Sequence, residues 1–222
     1  MTVIENARTS QRDPRRVVHP DAAESRDNPA HREHSGGGPG AKDRILSTAN
    51  RLFYHEGIRA VGVDRLISES SVTKATFYKH FGAKETLVIS YVQLRHEATR
   101  SLLTELCSNA PDTVSAIRAM VDNIVEQVRS RGFRGCAFIN AATEFPDSHS
   151  PVREVVSAHR DWYTAFVADL FRRIGHSMPG DAADEFVLLR DGTMSGGYSS
   201  DPIAASAALQ RCVNRLLAEA AA

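Results

Sequence analysis

The residues from Asp64 to Phe81, DRLISESSVTKATFYKHF, constrain the fold of this chain more than any other stretch. They form two short segments with helical spacing of apolar residues, separated by a polar break from Ser68 to Ser71. The second segment opens at Thr73, whose hydroxyl is suited to accept a hydrogen bond from an unpaired N–H at a helix start. Two short helices joined by a tight turn are typical of a helix-turn-helix, whose second helix lies in the major groove of DNA. This stretch therefore predicts a DNA-reading unit.

The second segment carries polar and charged groups that a buried helix does not tolerate but a phosphate-facing helix needs. Lys74 is suited to donate to guanine, and the methyl groups of Ala75 and Thr76 are suited to contact the methyl group of thymine. Phe77 and Phe81 have the spacing of core residues. The side chains expected to bind phosphate are Thr73, Tyr78, Lys79, His80 and Lys84.

The charge distribution supports this interpretation although the chain as a whole is neutral. Residues 1–40 carry six basic and six acidic side chains, whereas residues 41–90 carry eight basic and five acidic ones. Residues 91–222 carry thirteen basic and sixteen acidic side chains. The local excess of positive charge falls on the predicted helix-turn-helix, and a dimer would double it.

The cysteine pattern and hydropathy exclude several classes of protein. Cys107, Cys136 and Cys212 are widely spaced and odd in number, so they predict neither a disulfide framework nor a CxxC metal pair. No apolar run reaches the length of a membrane span, and the first residues lack the apolar core of a signal peptide. We expect a cytoplasmic protein without a metal or cofactor.

The first forty residues differ in composition from the rest, with few sizeable aliphatic side chains and a GGGPG run at 36–40. They predict a disordered tail, because there is little apolar surface to offset the entropy of ordering. The six arginines of this tail offer DNA contacts, but the six acidic residues offset them.

From Ala41 onward the apolar residues recur at helical spacing, which predicts an all-α chain of about nine helices. Gly57 is suited to end the first helix. The segment 134–145 is nearly all apolar, and we expect a helix buried on all sides. The predicted helices cover 41–56, 63–70, 73–80, 83–107, 134–145, 152–175, 181–199 and 203–221, with a fifth helix that includes Val114 and ends near residue 132.

Residues 41–90 resemble the DNA-binding domain of the TetR family of transcriptional repressors. The matching features are an apolar first helix stopped by Gly57, the segment VTKATFYKHF, and the run from Lys84 to Leu87. The segment GCAFINAATEFPD further along resembles one branch of the family. The resemblance implies an all-α homodimer with a helix-turn-helix domain at 41–88 and a ligand-binding and dimerisation domain at 89–222.

Two residues depart from the family pattern. Ser71 stands where the family usually has glycine in the turn, so we expect a non-glycine residue at positive φ. Gly62 replaces the usual hydroxyl residue before the second helix, where Asp64 partly compensates by facing the positive helix end. Each departure is expected to cost at most about 1 kcal/mol of stability.

The implied ligand pocket is expected to be mostly apolar with a few polar groups. Helical spacing favours core packing over ligand contact for any one aromatic residue, whereas Asn140, Glu144, His159 and Arg190 are polar groups suited to orient a ligand. We expect a small, largely apolar or aromatic effector. Its predicted contacts are Met120, Ile124, Phe138, Asn140, His159, Trp162, Tyr163 and Phe166.

The last two helices are expected to pair with their symmetry mates as a four-helix bundle. The glycines at 192, 196 and 197 either permit close helix approach or mark a helix end. The residues expected at this interface are Phe186, Leu188, Leu189, Met194, Leu209, Val213, Leu216 and Leu217.

The sequence leaves three alternatives to a ligand-released repressor. One is a redox-responsive regulator in which Cys136 is the sensor and Arg134 is its cationic neighbour. Another is a DNA-binding protein without an effector. The third is an enzyme, but its candidate residues show neither HExxH spacing nor a phosphate-binding glycine loop. Those residues are Glu144, Asp147, His149, His159 and Asp161.

Overall fold

The computed structural model describes residues 39–220, which form nine α-helices and no strand. The all-α prediction is confirmed for this part of the chain, whereas the predicted disordered tail lies outside it except for its last two residues. The helices are α1 Ala41–Glu56, α2 Val63–Glu69, α3 Lys74–Phe81, α4 Lys84–Asn109, α5 Thr113–Arg129, α6 Ala137–Glu144, α7 Pro151–Arg173, α8 Pro179–Ser199 and α9 Pro202–Glu219.

Local sequence signals set several helix ends. The Thr73 hydroxyl accepts a hydrogen bond from the Thr76 backbone N–H at 3.2 Å, which confirms the predicted cap of α3. Gly57 ends α1 at a φ of 93°, also as predicted. Helix α5 ends at Arg129, short of the predicted end near residue 132, because the backbone of Ser130 is already extended. The side chain of Asp201 caps α9 in the same way as Thr73 caps α3.

Helices α1 to α3 form a small unit around one apolar core. Ser71 adopts a φ of 53° in the turn between α2 and α3, which confirms the predicted positive φ at a non-glycine residue. Arg44 on α1 braces this turn, because its Nε donates to the Ser70 carbonyl oxygen at 3.2 Å. The apolar core residues of this unit are Ile45, Ala49, Leu52, Phe53, Ile58, Val61, Leu66, Phe77 and Phe81.

Helix α4 connects this unit to the rest of the molecule. Its first half packs against α1, where the rings of Phe53 and Tyr91 meet edge to face at 5.5 Å. Helix α4 also packs against α5, α6 and α7. A shift of α4 would therefore displace residues in both parts of the protein.

Helices α5 to α9 form the larger part of the molecule, and their core is continuous with that of α1 to α3. Helix α8 lies close to α5 because Gly197 has no side chain: a Cβ at this position would lie 2.2 Å from Val128 Cγ1. Close approach at Gly197 therefore serves packing within one chain, and α8 continues to Ser199 rather than ending near Gly196. Between residues 39 and 220, no helix is long and apolar enough to cross a membrane.

Two expectations about this core are wrong. Helix α6 is not buried on all sides, since only Phe138 and Ala141 are buried along it and one of its faces borders a cavity. Most residues expected at the dimer interface lie in the core of a single chain, as shown by Leu209, which is fully buried, and Leu216, which is 2% exposed. Leu188, at 66% exposure, is the member of that set that faces outward.

Candidate nucleic-acid interface and ligand cavity

Helix α3 presents one polar face and one apolar face. Phe77 and Phe81 anchor it in the core, and their burial confirms their predicted packing role. Tyr78 is 44% exposed although it is aromatic, so packing within this chain does not account for its position. The other exposed side chains on α3 are Lys74, Ala75, Lys79 and His80, with Thr76 partly covered.

Lys84 differs from the residues of α3 because it is half-buried at the start of α4. Its ammonium lies 5.8 Å from the centre of the Phe53 ring. Burial lowers the pKa of this ammonium, and the carboxylate of Glu144 partly opposes that effect. Lys84 therefore has interaction partners within the protein. Among residues 39–220, the exposed lysines of α3 have no such partners.

Sequence reasoning missed two features of this unit. All four lysines of the chain lie between residues 42 and 84, a clustering visible in the sequence that singles out this unit without any motif. Arg44 gave no such signal, because its contacts with the turn join residues 26 positions apart. The exposed face of α3 is thus positively charged, and Arg44 holds the turn before it.

A cavity of about 360 Å³ lies between α6, α7 and α8. Its size is at the lower end of the range for small-molecule sites. The walls contain apolar, aromatic and charged groups. They are formed by Cys136, Phe138, Ile139, Ala142, Thr143, Arg153, Val156, Ser157, His159, Arg160, Tyr163, Val187, Arg190 and Asp191.

The structure brings together three of the eight predicted ligand contacts, since Phe138, His159 and Tyr163 line this cavity. Met120 and Ile124 are buried in α5 within the core. Asn140 is held by a hydrogen bond from its Nδ2 to the Arg134 carbonyl oxygen at 2.8 Å. The remaining two, Trp162 and Phe166, are half-buried neighbours on α7, with ring centres 5.7 Å apart.

His159 lies at the centre of an aromatic cluster that reaches from the cavity to α4. Its ring stacks on Phe138 at 3.4 Å, and its Nδ1 lies 3.0 Å from Nδ1 of His96 on α4, so one ring donates and the other accepts. Burial, with contributions from Arg190, His96 and Arg160, lowers the pKa of His159 from 6.5 to about 3. The imidazole is therefore neutral at ordinary pH and links the cavity to α4.

Arg190 organises the charged end of the cavity. Its Nη1 donates to Asp191 Oδ1 at 2.7 Å, and its guanidinium lies 4.8 Å from the centre of the Tyr163 ring. Its Nη2 donates to Cys136 Sγ at 3.7 Å. The arginine beside Cys136 is therefore Arg190, whereas Arg134, the expected partner, is exposed and lies over the ring of Tyr198.

Two contacts tie the helix-turn-helix unit to the segment that contains α6. The Tyr54 hydroxyl on α1 donates to the Gly135 carbonyl oxygen at 3.0 Å and accepts from the Arg134 backbone N–H at 3.1 Å. Glu144, the last residue of α6, accepts from the backbone N–H groups of Ile58 and Arg59 at 2.8 and 2.6 Å. Sequence reasoning assigned Glu144 to a ligand or an enzyme site and missed this contact.

The residues considered for an enzyme are not brought together. Glu144 is engaged with the loop after α1, His149 is exposed beside Asp147, and His159 is buried in the aromatic cluster. Among residues 39–220, no group of three or more His, Cys, Asp or Glu side chains is arranged to hold a metal ion.

Two family models match the chain. The model described as "Bacterial regulatory proteins, tetR family" covers residues 45–91, which contain the helix-turn-helix. The model described as "Tetracyclin repressor-like, C-terminal domain" covers residues 113–195, which contain the cavity. The two matched segments thus coincide with the two candidate sites.

Known proteins resemble the chain over most of its length. A crystal structure of a TetR-family transcriptional regulator from Streptomyces coelicolor is 38% identical, covers 82% of this chain and 96% of its own, and superimposes with a TM-score of 0.78. The HTH-type transcriptional regulator LmrA of Bacillus subtilis is 28% identical over 57% of this chain and 69% of its own length. The uncharacterised HTH-type regulator YxaF of the same organism is 24% identical over 71% of this chain and 82% of its own.

Proposed function

This chain belongs to the TetR family of transcriptional regulators, and from that premise we propose that it is a repressor released from its operator by a small molecule. Its relatives and its fold are those of DNA-binding transcriptional regulators, which are not enzymes. The proposal adds a palindromic operator, a homodimer, and a largely apolar effector bound in the cavity between α6, α7 and α8. Because operator DNA lies in the cytoplasm, we place the protein there.

The observation that carries the proposal is the direct connection between the cavity and the helix-turn-helix unit. Helix α6 lines the cavity and ends at Glu144, which holds the loop after α1. The cavity residue His159 contacts His96 on α4, and α4 also packs against α1. A ligand that prefers one arrangement of α4 and α6 would therefore shift the position of α3.

Within this proposal, each α3 helix of a two-fold dimer reads one half-site of an inverted repeat. The two helices must then lie about 34–36 Å apart, one turn of DNA. Lys74, Ala75 and Thr76 contact base edges, while Thr73, Tyr78, Lys79 and His80 bind phosphate. Lys84 binds phosphate only if its ammonium leaves the Phe53 ring.

The test of DNA reading uses a pair of exposed tyrosines. Tyr78→Phe on α3 removes one hydroxyl from the proposed phosphate contacts, and Tyr198→Phe removes one from a tyrosine of α8 that is similarly exposed, at 47%. With an operator selected from random duplexes, we expect Tyr78→Phe to weaken binding about three- to tenfold, the loss of about one hydrogen bond. Tyr198→Phe should bind like the unaltered protein. Equal affinities for both variants would refute the assignment of α3.

The test of ligand response uses Trp162, the only tryptophan of the chain. Its ring centre lies 4.9 Å from that of His96 and 5.7 Å from that of His159, so ligand binding beside His159 should change its fluorescence. The same ligand concentrations should lower operator affinity about 5- to 150-fold. Operator affinity that no bound compound alters would favour the effector-independent alternative.

A redox-responsive regulator remains the second candidate, because Cys136 borders the cavity and contacts Arg190. In that case peroxide or a thiol alkylating agent should release the operator from the unaltered protein but not from Cys136→Ser. Cys107→Ser and Cys212→Ser are matched controls, since both thiols are partly exposed and lie outside the cavity walls. Release that persists in Cys136→Ser would exclude this mechanism.

A further inference from the structure

The cavity is positively charged although the domain around it is not. Residues 91–222 carry three more acidic than basic side chains. The cavity walls nevertheless contain three arginines and one aspartate, which leaves an excess of two positive charges. The His159 ring adds none, because its pKa of about 3 keeps it neutral. The excess of positive charge therefore belongs to the cavity and not to the domain as a whole.

Asp191 is shared between two of these arginines. Its Oδ1 accepts from Arg190 at 2.7 Å, and its Oδ2 accepts from Arg160 at 2.6 Å. Arg160 is half-exposed at the rim, whereas the Arg190 side chain is 12% exposed. One carboxylate thus serves two guanidinium groups, and Arg190 is left partly uncompensated where water is scarce.

The charge and hydrogen-bond donors of Arg153 are less completely paired than those of Arg190. Its Nη1 donates to the Phe145 carbonyl oxygen at 3.1 Å, and its buried Nε has no hydrogen-bond partner. No carboxylate among residues 39–220 forms an ion pair with it. A guanidinium that borders a cavity with donors to spare is suited to bind a carboxylate, often through two parallel hydrogen bonds.

The remaining walls indicate what the rest of the ligand must be. Ile139, Val156 and Val187 offer aliphatic surface, and Phe138 with its stacked His159 offers a flat aromatic one. We propose that the effector of this cavity is a small organic carboxylic acid, bound as its anion, with an apolar body on these walls and its carboxylate on Arg153 and Arg190. This inference rests on the proposed ligand response and specifies the chemical class of the ligand.

The experiment compares acids with their neutral counterparts on the full chain. The probes are phenylacetate, 1-naphthylacetate and octanoate, each paired with its primary amide, which has nearly the same shape but no charge. Binding is measured by calorimetry and by Trp162 fluorescence at about pH 7, where the acids are ionised. We expect at least one acid to bind about tenfold or more tightly than its amide, because charge-assisted hydrogen bonds to arginine are the stronger ones.

Substitutions of the cavity arginines test whether they cause the preference for acids over amides. Arg153→Gln should lower the affinity for the acid about tenfold and leave the affinity for the amide within about threefold. Arg190→Gln should do the same, and Arg190→Lys, which keeps the charge, should retain much of the preference. Arg172→Gln is the control, because Arg172 is exposed on α7, pairs with Asp169 and lies outside the cavity walls.

The outcomes distinguish the proposed anion site from the proposed ligand response. Amides that bind as tightly as their acids, or acids that bind equally well to Arg153→Gln, would overturn the anion site while leaving a ligand-released repressor intact. A failure of all three acids to bind would also overturn it. Acids that bind with the expected preference but never alter operator affinity would support the anion site and overturn the proposed ligand response.

Discussion

At the scale of single residues, the contacts with the largest consequences are made by side chains in unusual surroundings. His159 is a buried imidazole placed between an aromatic ring and a second histidine, within reach of two arginines. Gly197 is a helical glycine whose missing Cβ allows two helices to touch. In both cases the surroundings, and not the residue type, determine what a substitution does.

The pKa of His159 predicts a pH-dependent stability. In the unfolded chain His159 binds a proton below about pH 6.5, but in the folded protein it does so only below about 3. The unfolded state therefore binds more protons between these values, and the free energy of unfolding falls as the pH falls. Between pH 7 and pH 5, the free energy of unfolding of the unaltered protein should therefore fall by up to about 2 kcal/mol more than that of His159→Gln.

Urea unfolding at both pH values, at one protein concentration, measures this difference. His149→Gln is the matched control, because the His149 side chain is 93% exposed and has no such burial. If His159→Gln and the unaltered protein lose the same stability between pH 7 and pH 5, the imidazole is not held neutral.

The close approach at Gly197 predicts a steric cost. Gly197→Ala places a methyl group 2.2 Å from Val128 Cγ1, and we expect the free energy of unfolding to fall by about 1–3 kcal/mol despite the better helix propensity of alanine. Gly180→Ala on the same helix is the control, since a Cβ there meets no atom within 4 Å. Thermal unfolding should separate the two variants, and a Gly197→Ala protein as stable as Gly180→Ala would contradict the packing of α8 on α5.

At the scale of secondary-structure elements, α6 has a separate role at each end. Phe138 near its start and Ala142 further along line the cavity, and Glu144 at its end binds the loop after α1. The helix has only eight residues, so a movement at one end is transmitted to the other without an intervening hinge. Helix α4 provides a second, parallel connection through His96.

Breaking the contact at the end of α6 should weaken the coupling between ligand and operator. Glu144→Ala leaves the N–H groups of Ile58 and Arg59 without their acceptor, at a cost of about 1–3 kcal/mol in stability. Operator binding without ligand should persist, because α3 itself is untouched, but a ligand should release less of the complex. Glu126→Ala, on an exposed position of α5, is the control.

Operator titrations with and without ligand give this coupling as a ratio of affinities. Wild-type ligand release in a folded Glu144→Ala protein would mean that the signal passes through α4 or through the contacts of Tyr54 with Arg134 and Gly135.

At the scale of the whole molecule, the outer faces of α8 and α9 are the proposed dimer interface. Exposed positions recur along α8 at Asp184, Leu188, Gly192 and Ser195. A Cβ at Gly192 would meet no atom within 4 Å, so the chain itself leaves room there for a second copy. Ile203 adds exposed apolar surface at the start of α9.

If the dimer forms through these faces, replacing two leucines of these helices should have different effects on folding and assembly. Leu188→Asp should give folded monomers that bind the operator poorly, because Leu188 is 66% exposed and its replacement disturbs only the interface. Leu209→Asp should fail to fold, because Leu209 is fully buried within one chain. Sedimentation and circular dichroism distinguish these outcomes. Met178→Asp, at an exposed apolar residue before α8, is the control and should stay dimeric.

The helix-turn-helix could be predicted almost residue by residue because its determinants are local. The Thr73 cap and the stop at Gly57 each depend on residues a few positions away, whereas the positive φ of Ser71 was expected from the family pattern. The polar face of α3 likewise follows from the spacing of neighbouring side chains. Short-range hydrogen bonds and backbone sterics leave few alternatives for such a segment.

The place of the cavity, and the burial of the apolar stripes of α8 and α9 within one chain, were decided by tertiary structure. An apolar stripe such as that of Leu209 and Leu216 shows that a helix face is covered, but it does not show whether the same chain or a second copy covers it. Likewise, Arg153 and Arg190 meet at one cavity although they are distant in sequence, while Trp162, a more obvious candidate, lies beside it. The sequence by itself determined the helices and the reading unit, because these depend on neighbouring residues. The packing of α6, α7 and α8 determined which side chains share a site, because only long-range contacts bring them together.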